Sequence, residues 1–180
     1  MNSWKSPVLT IAGKRLLSKL MDGNTLAIVG AQAGSGYDDP EILSSITDLS
    51  CPEQMLNVEV LSIPETSRCA VICSLTNAGL TMGYMAIQIG LFAMDPDDGE
   101  ILFCILQAEY GDGTEIPSEE EMPGYSADWT FNFDFSQAEG ITVVVDQANM
   151  VTHTWLAQYV DTALAATYDE IDAAMDIKQS

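Results

Sequence analysis

The sequence predicts an α+β fold: an antiparallel β-sandwich with a packed N-terminal helix and a protruding C-terminal helix. Three observations carry this expectation. Short apolar runs separated by turn residues recur through the middle of the chain, and apolar residues recur at helical spacing near both ends. Trp129 to Phe135 (WTFNFDF) alternates aromatic and polar side chains with a strand's period of two. The boundary is placed near residue 150, giving a β-sandwich domain with its helix over 1-150 and a C-terminal helix over 151-180.

Composition narrows the classes. A chain of 180 residues with 47% apolar content buries a real core. No apolar run approaches the roughly 18–20 residues that a bilayer needs, and the N-terminus lacks the order of a signal peptide, so a soluble protein not exported by the general secretory route is expected. The net charge is −21, from 27 acidic against 6 basic residues. Such a surface repels phosphate backbones, which argues against nucleic acid as a partner. The distribution says more than the sum: Met1 to Met21 holds Lys5, Lys14, Arg15 and Lys19 and no acid, so a basic patch sits on an acidic body.

In chain order, Trp4 to Leu9 (WKSPVL) reads as an extended arm, because Pro7 disfavours a helical residue before it. Thr10 is an N-cap, after which Ala12, Leu16, Leu20 and Leu17, Met21 repeat at helical spacing until Asp22-Gly23. Lys14, Arg15 and Lys19 take the other side, as a solvated face or a docking face for an acidic neighbour. Thr25 to Val29 is a strand running into Gly30 to Gly36 (GAQAGSG), expected as a mobile or tightly turned loop. It is not a phosphate cradle, since no Lys-Ser/Thr follows. Asp39 to Asp48 is expected to hold a helical turn.

Gln54 to Ile63 and Arg68 to Leu75 read as a hairpin through Pro64 to Ser67. Cys69 and Cys73 stand four apart on one strand, roughly 13 Å, too far for a disulfide. With Cys51, Cys104 and the single His153 elsewhere, buried reduced thiols are favoured over a zinc site. Met85 to Ala108 is the scaffold hairpin: two runs apolar on both faces around an acidic tip with Asp98-Gly99, so it belongs mid-sheet and covered. Glu109 to Asp128 is a long acidic loop, read as solvated acid rather than as a calcium or catalytic site. On Trp129 to Phe135 the aromatic face either seals the core or stacks on sugar rings; core is favoured. Ile141 to Asp146 adds a last strand. Beyond it Ala157, Val160, Leu164, Thr167, Ile171 and Ala174 form a short heptad-like seam, with Val160, Leu164, Thr167 and Ile171 as the expected oligomerisation residues.

Five stretches together resemble a known family. These are the TxxGxxLLxKL helix (Thr10 to Leu20), the Gly34 to Gly36 turn, Thr76 to Leu80 (TNAGL), the Ile89 to Glu109 hairpin and the WTFNFDF strand. Their order over about Trp4 to Val151 is similar to the N-terminal domain of phage tail fibre proteins, the tail-collar fibre family, most like its versions in phages and phage-tail-like particles of Gram-positive bacteria. The resemblance implies a structural, non-enzymatic protein without cofactor or metal. It would anchor a trimeric fibre to a baseplate protein, at the end of a virion tail or a contractile particle, and serve host attachment. A shaft and a receptor-binding tip follow the anchor in that family, and this chain reaches Ser180 where the shaft begins, so the expectation is a fibre adaptor, a short fibre or the stub of a longer one. Lys5, Lys14, Arg15 and Lys19 are the expected docking residues. The alternative is a carbohydrate-binding adhesin module using the Trp129 to Phe135 face. A polysaccharide hydrolase using the acids of Glu109 to Asp128 ranks below both.

Overall fold

A computed structural model describes residues 4–20, 25–63, 68–134 and 142–145. All of them belong to one unit, Met1–Asp146, and the chain divides from Gln147 onward. The expected C-terminal helix, with Val160, Leu164, Thr167 and Ile171, lies outside the described residues, as do Pro64 to Ser67 and Phe135.

The chain runs β1 (Val8–Leu9), α1 (Ile11–Leu20), β2 (Thr25–Gly34), a 3₁₀ turn (Leu43–Ser45), β3 (Pro52–Ile63), β4 (Arg68–Thr76), β5 (Tyr84–Ala86), β6 (Gln88–Asp95), β7 (Gly99–Gln107), β8 (Thr114–Ile116), β9 (Ser126–Asp134) and β10 (Thr142–Val145). The described fold is therefore β-rich with one helix. Its main sheet is a single curled one, in the order β1-β7-β6-β2-β3-β4-β9, antiparallel except that β10 joins β2 in parallel. A separate ribbon pairs β5 with β8.

The curl has a covalent cause. β3 gives its first half to β2 (Leu56 opposite Ala31, Pro52 opposite Gly34) and its second half, from Asn57 opposite Ser74, to β4. The sheet therefore turns a corner near Leu56. The edge of β2 that β3 leaves, Thr25 to Ile28, is taken by β10. Turned in this way, the two arms share one core. Phe103 of β7 meets Phe133 of β9 with ring centroids 5.7 Å apart, and Leu16, Ile89, Val71 and Phe131 lie in the same buried cluster.

The β6–β7 hairpin sits inside the sheet and is covered, as its two apolar faces require. Its tip turns at Gly99, whose φ of 79° favours glycine. Three expectations need correction. The first run of the hairpin starts at Gln88 rather than Met85, because Tyr84 to Ala86 leaves to pair with β8. Gly30 to Gly34 is strand rather than loop: a side chain on Gly34 would reach 3.1 Å from the Cys51 carbonyl oxygen, so these small residues let neighbouring chains approach. The segment from Glu109 to Asp128 also has defined structure, supplied by β8 and the turns described below.

Helix α1 begins as its cap predicts. The Thr10 Oγ1 accepts from the Gly13 amide at 2.9 Å and donates to the Leu102 carbonyl, and the Thr10 amide donates to the Phe103 carbonyl at 3.1 Å. One residue thus caps the helix and ties it to β7. Gly13 completes the contact, since a Cβ there would lie 2.1 Å from the Phe103 carbonyl oxygen.

Candidate functional site

The basic residues of the N-terminal segment separate into two groups. Lys19 turns toward the β6–β7 tip, where its Nζ lies 2.7 Å from Asp95 Oδ1 and 2.8 Å from Asp97 Oδ2. The Asp95 carboxylate also accepts the Asp97 and Asp98 amides, which folds the tip around it. Lys5, Lys14 and Arg15 are exposed, and among the described residues they make no ion pair. Of the four cations expected to dock a partner, Lys5, Lys14 and Arg15 are exposed and Lys19 is held by the chain's own hairpin. Sequence periodicity put Lys19 with the other two, but it lies at the border of that face, on the side of β7.

The Lys19 and Asp95 pair sets a pH dependence. Burial alone would raise the Asp95 carboxyl, whose side chain is 1% exposed. The Lys19 hydrogen bond, the Asp97 and Asp98 amides and the Lys19 charge outweigh burial and hold it below its ordinary 3.8. The Lys19 ammonium is raised above 10.5, by its hydrogen bonds to Asp95 and then Asp97. A lowered acid stabilises the fold above its unfolded value and loses that contribution as pH falls through the folded one; a raised amine stabilises below its unfolded value and loses that contribution as pH rises. The clamp should therefore be at full strength between about 4 and 10 and weaken outside that window. In thermal unfolding followed over pH, Asp95→Asn should remove the acid-side part of the stability loss that wild type shows below pH 4; an unchanged acid limb would place the pH sensitivity elsewhere.

The aromatic strand is covered at Trp129 and Phe131, while Phe133 is half-buried and lines an open groove of about 500 Å³ with Leu61, Arg68 and Asn132. Phe131 is fully buried and stacks against Phe133 with centroids 6.4 Å apart, while Trp129 packs edge-on against Trp4 at 5.7 Å. The Trp4 indole nitrogen donates to Thr114 Oγ1 at 3.2 Å, so the N-terminal arm lies across this face, and its backbone bridges to Ala108. Sugar stacking on Trp129 or Phe131 would require the arm and core to open.

The acidic segment is organised from Asn77. Its Nδ2 donates to the carbonyls of Pro117, Ser118 and Met122 at 3.1, 3.1 and 2.8 Å. Ser118 and Glu121 hold one another: the Ser118 amide and hydroxyl donate to Glu121 Oε2, and the Glu121 amide donates to Ser118 Oγ. This is a capping box around a single turn. The Ser118 amide, then its hydroxyl, hold the Glu121 carboxyl below the ordinary range. Glu119 Oε2 accepts the Gly79 amide at 2.8 Å. A glycosidase-type acid needs a carboxyl raised toward neutrality, and Glu121 is moved the other way. Glu115, Pro117, Glu121, Met122 and Tyr125 line an open groove of about 380 Å³ here.

Sequence reasoning missed a buried polar cluster. Gln88 and Gln107, opposite one another on β6 and β7, join through a hydrogen bond in which Gln88 Nε2 donates to Gln107 Oε1 at 2.7 Å. Asp38 bonds to both, its amide and carbonyl meeting the Gln107 amide group and its carboxylate accepting from Gln88 and Ser50. The only signal was two glutamines at the root of an otherwise apolar hairpin. Cys69, Cys73 and Cys104 are buried as expected, whereas Cys51 is exposed, and none of the four is in a disulfide among the described residues. Burial pushes Cys73, with the neighbouring Cys104 adding, and Cys104 itself up to about 12, far from a reactive thiolate. Among the described residues no group of three His, Cys, Asp or Glu side chains is placed to hold a metal, and no helix is long and apolar enough to cross a membrane.

By its described residues the protein is a β-rich domain, a curled antiparallel sheet carrying one helix. No protein-family model, curated protein or solved structure matches the chain.

Proposed function

We propose that the protein is a structural tail fibre or fibre adaptor, which anchors a fibre at the baseplate of a phage tail or phage-tail-like particle and so serves host attachment. In this reading it works within the particle, as a homo-oligomer (a trimer) through the Val160 to Ile171 seam, with a distal fibre or receptor-binding protein beyond it. The two arms of the sheet, facing across Phe103 and Phe133, serve as the layers of a β-sandwich, and residues 151-180 serve as the projecting helix.

The observation that carries the reading is the exposed trio Lys5, Lys14 and Arg15 on a chain of net charge −21. Exposed cations on an anionic protein suit an acidic protein partner and favour fast, oriented docking. Burial of Trp129 and Phe131 supports it as well, because it leaves the adhesin alternative only the half-buried Phe133 ring among the described aromatics of that strand.

The experiment is charge reversal at Lys5, Lys14 and Arg15, leaving Lys19 in its clamp. Exposed substitutions of this kind should change stability by no more than about 0.5 kcal/mol. The folded variant should be missing from purified tail particles of a producing strain, whereas wild type co-purifies with them. Normal incorporation of the variant would sink the docking reading.

A further inference from the structure

The outward face of α1 is more than basic. Ile11, Lys14, Arg15 and Ser18 stand at i, i+3, i+4 and i+7, opposite buried Gly13, Leu16 and Leu20, so they share one stripe. Ile11 is 51% exposed on it. The helix thus offers a large apolar side chain flanked by two cations, the composition of a helix that lies in an acidic, apolar groove.

A groove of that composition is on the same molecule. Met122, 54% exposed, lines the open groove of about 380 Å³ together with Glu115, Glu121, Tyr125 and Pro117. Met85 extends the apolar surface: it pairs with Glu115 across the β5–β8 ribbon and is itself exposed. Methionine side chains adapt to irregular partners, and exposed ones beside carboxylates favour basic amphipathic helices. The groove is also preformed, since Asn77 and the Ser118–Glu121 box fix its wall. Within Glu109 to Asp128 six further acids accompany Glu115 with no lysine or arginine, whereas Met1 to Met21 holds four cations and no acid. Charge complementarity on this scale is found between two parts of one sequence.

We infer that the groove of Glu115, Glu121 and Met122 receives the Ile11, Lys14 and Arg15 face of α1 from a second copy of this chain, forming a head-to-tail contact. Ile11 fills the space beside Met122 and Tyr125, and the two cations meet Glu115 and Glu121. A contact between two different surfaces is heterologous, so an open assembly leaves one α1 face free at its end. That free face is the one that the proposed function docks to an acidic partner. The self-contact goes beyond that proposal and stands independently of any particle.

Two variants of the full chain test the contact, both made in a reference chain that carries Leu164→Ser and Ile171→Ser, so that the seam of the proposed trimer adds nothing to the mass; this reference serves as wild type in the mass measurements. Lys14→Glu with Arg15→Glu disables the helix face; Glu115→Lys with Met122→Ser disables the groove, using exposed positions that spare Asn77, Ser118 and Glu121. Wild type at low salt should show a mass that rises with concentration, and its apparent dissociation constant should weaken at least tenfold between 50 and 500 mM NaCl, as expected for a contact relying on exposed charges. Each variant alone should remain monomeric with an unchanged circular dichroism spectrum. An equimolar mixture should give one heterodimer and nothing larger, because each partner keeps one intact surface. A monomeric wild type at low salt, association that survives in the groove variant, or a mixture that stays monomeric would each overturn the proposal. Groove variants leave Lys5, Lys14 and Arg15 in place, so their retention in tail particles distinguishes loss of self-contact from failure of the docking reading.

Discussion

Gly13→Ala should destabilise the protein by about 3 kcal/mol or more, although alanine is the better helix former. In an exposed helix the exchange would gain about 1 kcal/mol. Here the new Cβ would lie 2.1 Å from the Phe103 carbonyl oxygen, a backbone atom that no rotamer change can move aside. Overpacking of this kind costs roughly 1–3 kcal/mol by itself. Relief requires α1 to lift from β7, which stretches the Thr10 bonds to the carbonyls of Leu102 and Phe103 at about 1 kcal/mol each and loosens buried Leu16. The steric term therefore wins over propensity. Denaturant unfolding should show the loss in Gly13→Ala, while Ser18→Ala on the exposed side of the same helix should sit within about 0.5 kcal/mol of wild type. Equal stability of the two variants would mean that α1 does not rest on β7 as closely as its geometry states.

The same helix shows what the sequence makes legible. Its cap at Thr10, its spacing and its core face were readable because each depends on residues three or four apart, and so was the covered β6–β7 hairpin, whose turn and apolar faces lie within twenty residues. The alternation that identified β9 also identified its buried side, confirmed at Phe131. What could not be read depends on partners distant in sequence. Gly30 and Gly34 look like a loop until Met55 and Cys51 are known to lie against them. The division of β3 between two neighbours is invisible in its own residues, yet it decides that the sheet curls. Among the candidate docking cations Lys19 looked equivalent to Lys14 and Arg15, because its acidic partners are 76 residues or more away. The acidic segment looked structureless because its organiser, Asn77, stands 40 or more residues before the carbonyls it gathers.

That role makes Asn77→Asp the second severe substitution, and its pH profile separates the two causes of the loss. Asn77→Ala should cost about 1–3 kcal/mol, since the carbonyls of Pro117, Ser118 and Met122 lose a shared donor in a buried place. Its Oδ1 has no hydrogen-bond partner among the described residues, so alanine forfeits nothing on that side. Aspartate keeps the shape but replaces the donor by a charge facing three carbonyl oxygens, and an uncompensated buried charge costs about 3–5 kcal/mol. Such a carboxyl is raised in the folded state, so the deficit develops as pH rises above the unfolded value near 3.9 and levels off once the folded group ionises. Below that value the protonated acid can donate one bond, and the aspartate variant should become no worse than alanine. Unfolding experiments from pH 3 to 8 should therefore show the Asn77→Asp deficit growing with pH while the Asn77→Ala deficit stays level. Cleavage by a glutamate-specific protease at Glu119 to Glu121 should accelerate in both variants, since the turn that protects those bonds is held from Asn77. A flat Asn77→Asp profile, or a resistant loop, would show that the segment is held by its own turns, and the groove that depends on its wall would then survive without Asn77.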